Sequence, residues 1–175
     1  MKTIQTVVLA IAFLATTGPI AHLLELPSKL TLEGPLWLSV QQHLYRGWGI
    51  VYGPIEVLAL LSCVVLMIVT RRDEDRRNAY LIAAACYGSM ILYFFLFNDW
   101  VNDALTHWTA ATLPANWSDY RLKWETGHAL SALFSVIAFV TLLHARMREA
   151  AQQREDAQAA RELRQADKSG NHELH

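Results

Sequence analysis

The chain has 175 residues, 53% hydrophobic and 18% charged, with a formal net charge of −1 and two cysteines. Four long apolar runs take up nearly half of that length, which leaves no room for a second folded domain beside them. Near-neutral charge, basic residues without interleaved aromatics and the absence of a phosphate-binding glycine loop exclude the common nucleic-acid and nucleotide modules.

The first run, Ile4–Leu24, follows Met1-Lys2 and has the outline of a secretory signal peptide. Ala15-Thr16-Thr17 is a poor cleavage site, however, and the apolar character continues through Pro19-Ile20-Ala21. A retained first span is therefore expected. Three further runs come after it, Gly49–Thr70, Ala79–Phe97 and Gly127–His144. Each is long enough to cross a hydrocarbon core of about 30 Å as a helix. These four runs predict an all-α fold, a four-transmembrane-helix bundle over residues 1–147, with loops at Glu25–Trp48, Arg71–Asn78 and Asn98–Thr126. Cys63 and Cys86 lie on different spans as small hydrophobes, with no disulfide framework implied. From Ala145 the composition turns to Ala, Arg, Gln and Glu, which predicts an exposed helical extension over 148–175 that frays near Ser169-Gly170. Its closing His172-Glu173-Leu174-His175 reads as a solvated tail.

Lys and Arg asymmetry sets membrane orientation. Lys2, the cluster Arg71, Arg72, Arg76, Arg77 and the tail from Arg146 and Arg148 fall on one side of an alternating bundle; Lys29, Arg46, Arg121 and Lys123 fall on the other. Both termini are thus expected in the cytoplasm, with the protein in a cell (inner) membrane and the two longer loops outside.

Helical rise gives the depth of each polar group within its span. Counted from the cytoplasmic ends, His22, Glu56, Asn98 and His128 come out at about 27, 21, 28 and 25 Å. Four helices deliver a polar group to one level, where lipid-facing placement would be costly. Glu56 is the sharpest of these, because an ionisable side chain two turns below the interface marks a site facing the bundle interior; the plainer alternative is that it only bonds neighbouring helices or groups freed by Pro54. His22-Leu-Leu-Glu25 and Glu125-Thr-Gly-His128 each set a His and a Glu three apart on one helix face. Carboxylate-bridged di-iron bundles use that spacing, so His22, Glu25, Glu56, Glu125 and His128 form one candidate ligand set for a transition metal ion. Simple His–Glu hydrogen bonding is the other reading, and it needs no cofactor. Tyr45, Trp48 and Trp124 are expected to bind substrate, the plainer reading of Trp and Tyr at such positions being interface anchors, while Arg121 and Trp124 precede Glu125 and His128 by a turn or two and would wall a cationic, aromatic mouth.

The segments Ala21-His22-Leu23-Leu24-Glu25-Leu26-Pro27-Ser28-Lys29, Gln41-Gln42-His43-Leu44-Tyr45-Arg46-Gly47-Trp48, Asn98-Asp99-Trp100-Val101-Asn102 and Asn116-Trp117-Ser118-Asp119-Tyr120-Arg121-Leu122-Lys123-Trp124-Glu125-Thr126-Gly127-His128 resemble the anthrone-oxygenase-like four-helix membrane family. The likeness runs from about Ala21 to His144, and Trp-x-x-x-Arg-x-x-Trp-Glu-x-x-His is its most specific part. It implies an oxygen-dependent oxidoreductase.

Two functional readings are compatible with these residues. In one, His128 or Glu56 removes a proton from a small aromatic or quinol-like substrate, Arg121, Asn98 and Asn102 stabilise the oxyanion, Glu125 supports His128, and oxygen reacts with the electron-rich product. In the other, the same cluster holds a quinone, lipid or partner protein without chemistry. Transport fits less well, since four spans without inverted repeats give little for alternating access. Membrane lipid and a small aromatic or quinone-like molecule are the expected partners; a homo-oligomer is compatible with the sequence, and nucleic acid is not expected.

Overall fold

The computed structural model describes residues 2–172, with side chains for 3–165. Glu173–His175 and the side chains around Ser169 and His172 lie outside the residues so described. The helices are α1 (Lys2–Leu30), α2 (Gly34–His43), α3 (Trp48–Val69), α4 (Glu74–Tyr93), a π-helical turn (Phe94–Asn98), α5 (Asp99–His107) and α6 (Trp117–His172). Among the described residues there is no strand. Four helical stretches are long and apolar enough to cross a membrane, as expected: Thr3–Leu30, Trp48–Val69, Glu74–His107 and Trp117–Gln165. This is a multi-pass membrane protein.

Chain neighbours are also spatial neighbours: α1 packs on α3, α3 on α4, α4 on α6, and α6 closes on α1. The result is an up-and-down square of four spans. Only 17 to 39% of the most apolar window of each span is buried within the chain. Phe13, Leu24, Ile50, Leu61, Phe95 and Leu133 instead face outward. An aqueous protein would aggregate through such surfaces, whereas lipid tails solvate them. Inside, small residues let the backbones approach. Ala12, Ala15, Ala59, Ala83, Ala132 and Ala138 are buried between helices, and larger side chains such as Tyr87, Met90 and the free thiol of Cys63 fill the space left.

Both longer loops differ from expectation, because most of their residues are helical. α2 opens with Pro35 in its first turn, where the missing N–H costs nothing. It presents Trp37 and Leu38 to Val101 and Leu105 of α5 and to Trp124 of α6. Gln42 fastens the pair by donating from Nε2 to the carbonyls of Leu105 (2.7 Å) and Trp108 (2.9 Å). A second small core thereby roofs one end of the bundle. We call this the roofed end; the termini and the α3–α4 turn lie at the other.

That turn is fixed by Asp73, which caps α4 by accepting from the Arg76 backbone N–H (3.1 Å) and from Arg76 Nε (2.5 Å). Arg76 reaches on to Glu149 of α6 (3.5 Å). The Arg76 backbone N–H, then its guanidinium, hold the Asp73 carboxyl below the ordinary aspartate range. A depressed carboxyl stabilises above the unfolded-state value and loses that effect as pH falls through the folded one. Asp73→Ala should lower stability by about 1 kcal/mol at neutral pH. Thermal unfolding in detergent should show the parent–variant gap closing below a pH of about 4; a gap that persists in acid would refute the ionised cap.

Candidate functional site

Beneath the roof lies a cavity of about 830 Å³ bounded by α1, α2, α3, α5, α6 and the π turn. His22, Glu56 and His128, expected at one level, all line it, together with Asn102, Trp124 and Trp48. The imidazoles of His22 and His128 lie against each other at a tilt of 37°, with centroids 4.1 Å apart. Trp124 lies 5.0 Å from His22 and 4.1 Å from His128, while Tyr45 and Trp48 close the other side of His22 at 4.6 and 5.0 Å. Two heterocycles thus sit inside an aromatic wall. Glu56 reaches the cavity from α3, with no ion-pair or hydrogen-bond partner among the described residues, so the plainer role of tying helices together finds no bond to carry it.

The π turn aims the asparagines. Such a turn holds one residue more than an α-helical turn and re-phases the residues beyond it. Asn98, 1% exposed, donates from Nδ2 to the Trp124 carbonyl at 2.9 Å, and Trp124 Nε1 donates to Asn102 Oδ1 at 2.8 Å. Asn102 therefore lines the cavity with its oxygen occupied and its amide N–H groups left to give. Asn98 points at α6 rather than at the cavity. Its approach depends on Gly127, where a Cβ would overlap the Asn98 carboxamide and Phe97.

Glu25, Glu125 and Arg121 depart from expectation. The two carboxylates converge on a group that the pairing of His with Glu did not include: Lys29, 3% exposed. Its Nζ lies 2.8 Å from Glu125 Oε2, 4.0 Å from Glu25 Oε2 and 3.5 Å from His22 Nδ1, and it stands over the Trp124 ring at 4.8 Å. Glu25 also accepts a hydrogen bond from the Tyr45 hydroxyl. Burial, followed by that carboxylate, pushes the Tyr45 phenol well above its ordinary range. Tyr45 is thus a neutral donor and a wall. The five residues expected as a ligand set are consequently divided: His22, His128 and Glu56 face the cavity, while Glu25 and Glu125 face a cation. Among the described residues, no three His, Cys, Asp or Glu side chains are arranged to hold a metal ion. Arg121 does not stand over the cavity either. Its guanidinium donates to the carbonyls of Lys29 (3.3 Å) and Leu32 (2.8 Å) and stacks 4.7 Å from Trp117. It thereby ties α6 to the C-terminal turn of α1 through Lys29 and to the connection just beyond it through Leu32.

Two further residues belong to the site, and only Lys29 had a signal in the sequence. Lys29 stands four residues after Glu25 and seven after His22, on the same helix face. Gln41, 8% exposed on the cavity wall, holds its Nε2 without a partner among the described residues, a donor left for a guest. No periodicity marks Gln41, because its position depends on how α2 folds back.

Fold and cavity define the class: a multi-pass helical membrane protein with a polar, aromatic-walled chamber in one half of the bundle. Within that class, the family model for anthrone oxygenase matches residues 42–141, more than half of the chain, and the chain belongs to that family. No curated protein and no solved structure matches it. The matched region holds Glu56, Asn102, Trp124 and His128, while His22 and Lys29 precede it.

Breaking one side of a buried ion pair costs about 3–5 kcal/mol, whereas replacing both partners with neutral groups costs much less. Lys29→Met alone should therefore destabilise far more than Lys29→Met combined with Glu125→Gln. Equal melting temperatures for the single and double variants would show that the pair is not formed. Gly127→Ala should cost about 1–3 kcal/mol by driving Asn98 off the Trp124 carbonyl, read by the same melting experiment; an unchanged melting temperature would reject that close approach.

Proposed function

We propose that this protein is an oxygen-dependent oxidoreductase acting on a planar, weakly acidic aromatic molecule, of the anthrone or hydroquinone kind, bound in the chamber between His22, His128 and Glu56. The observation that carries the reading is two adjoining imidazoles and an unpaired carboxyl facing one aromatic-walled space of about 830 Å³. Such walls suit a flat π-system, and a volume of that size lies in the usual range for small-molecule sites. Membership in the anthrone oxygenase family supports the reaction type.

For an anthrone-like substrate the balance is one CH₂ and one O₂ giving one C=O and one H₂O. His128, as a neutral imidazole, takes the first proton from the activated carbon, leaving an enolate whose charge spreads over the rings. Asn102 donates to that oxyanion, its own oxygen being held by Trp124. The enolate gives electrons to O₂ and forms a C–O bond, and the proton on His128 completes a hydroperoxide. Loss of the remaining C–H proton with O–O cleavage then yields the ketone and water. Glu56 carries protons to and from the chamber. Arg121 and Asn98 hold the walls instead of touching substrate.

The excess of Lys and Arg at the end opposite the roof supports both termini being cytoplasmic in an inner membrane. The chamber then opens within the outer leaflet, where an apolar aromatic partitions.

Oxygen uptake by purified protein with anthrone and hydroquinone substrates tests the proposal. His128→Ala should lower kcat by a factor of about 10²–10⁴, the usual worth of a positioned base, and Glu56→Gln by less. Turnover unaffected by both substitutions would remove the site. Saturable binding with no oxygen uptake would leave the chamber as a binding site and end the enzyme reading.

A further inference from the structure

We infer that Lys29 is a positioning residue that fixes His22 in its Nε2–H tautomer, making His22 the second hydrogen-bond donor for the substrate oxyanion. The inference rests on the chamber being the reaction site. Lys29 is buried with its ammonium 2.8 Å from Glu125 and over the face of Trp124, an environment built for the charged form. An ammonium has three donors and no acceptor. One goes to Glu125 Oε2. Another faces His22 Nδ1 at 3.5 Å, the nearest polar partner of that nitrogen, since Glu25 Oε2 stands at 3.9 Å.

A ring nitrogen facing an N–H donor must offer its lone pair, so the single proton of neutral imidazole goes to the other nitrogen. Nothing among the described residues bonds Nε2, and His22 is a cavity-lining side chain. Its N–H is therefore free for a guest. Protonation of Nδ1 would set two cations 3.5 Å apart in a buried site, which opposes the imidazolium form. His128 lies against His22 at a tilt and makes no hydrogen bond to the ammonium. The two histidines consequently differ in role: His128 is free to accept a proton, and His22 is held as a donor. Glu125 serves the same arrangement from the neighbouring helix by anchoring Lys29, and Glu25, bonded by Tyr45, completes the shell around the cation.

The test is nitrogen NMR on full-length protein labelled with ¹⁵N-histidine, with the His22 signals assigned by loss in His22→Asn. In the parent, His22 should show a single Nε2–H tautomer at neutral pH. Lys29→Met combined with Glu125→Gln, which leaves no unpaired buried charge, should yield a substantial Nδ1–H population. Lys29→Arg, which keeps a cationic donor, should retain Nε2–H. In oxygen-uptake assays the double variant should lose at least about tenfold in kcat with KM little changed, as expected for a donor used in the transition state, and Lys29→Arg should recover part of it. An Nδ1–H or doubly protonated His22 in the parent, or a tautomer indifferent to Lys29, overturns the inference. The NMR readout needs no turnover, so a parent with the Nε2–H tautomer but no oxygen uptake sinks the enzyme reading and spares the tautomer assignment.

Discussion

The buried ion pair between Lys29 and Glu125 is the constraint on which the roofed end depends. Charges inside a membrane bundle are tolerated only when the bundle supplies their partners. Lys29 comes from the last turn of α1 and Glu125 from the early turns of α6. Pairing them joins the two helices that carry His22 and His128, whose tilted imidazoles have centroids 4.1 Å apart. Arg121 reinforces this junction one turn away by gripping the Lys29 carbonyl of α1 and the Leu32 carbonyl just beyond the helix. The Lys29 cation, both carboxylates and the Arg121 guanidinium lie together behind the histidines, leaving the chamber itself lined by neutral groups, the Glu56 carboxyl and Arg46.

A chamber of this kind needs an apolar wall to hold a guest and a few polar groups to orient it. Trp124 serves both ends. Its ring lies against both imidazoles, its indole N–H orients Asn102, and its backbone carbonyl receives Asn98. The roof formed by α2 and α5 covers the chamber, with Gln42 fastening the seam between them. At the opposite end, Asp73 and Arg76 join the α3–α4 turn to α6 through Glu149.

The four spans and the common depth of His22, Glu56 and His128 were readable in the sequence, because helical rise converts residue number directly into height. Direction around the helix axis was less accessible. Asn98 has the right height but faces α6, since the π turn that re-phases it has no signature in Phe94-Phe95-Leu96-Phe97. Glu25 and Glu125 were paired by spacing with His22 and His128, yet both bind Lys29, whose charge made it look like a surface residue. Arg121 satisfies backbone carbonyls that only become orphaned once α1 ends at Leu30. α2 and α5 went unread as helices because each is too short to span and is held by tertiary packing in preference to its own propensity.

The π turn also marks a point where backbone winding and chemistry are coupled. One residue occupies about 100° of an α-helix. Were Phe94–Asn98 wound as regular α-helix with the same residues, Asn102 would be carried about a quarter-turn away from the indole that orients it. The direction of that amide at the end of the third span is therefore set by the pitch of the backbone as much as by the side chain itself.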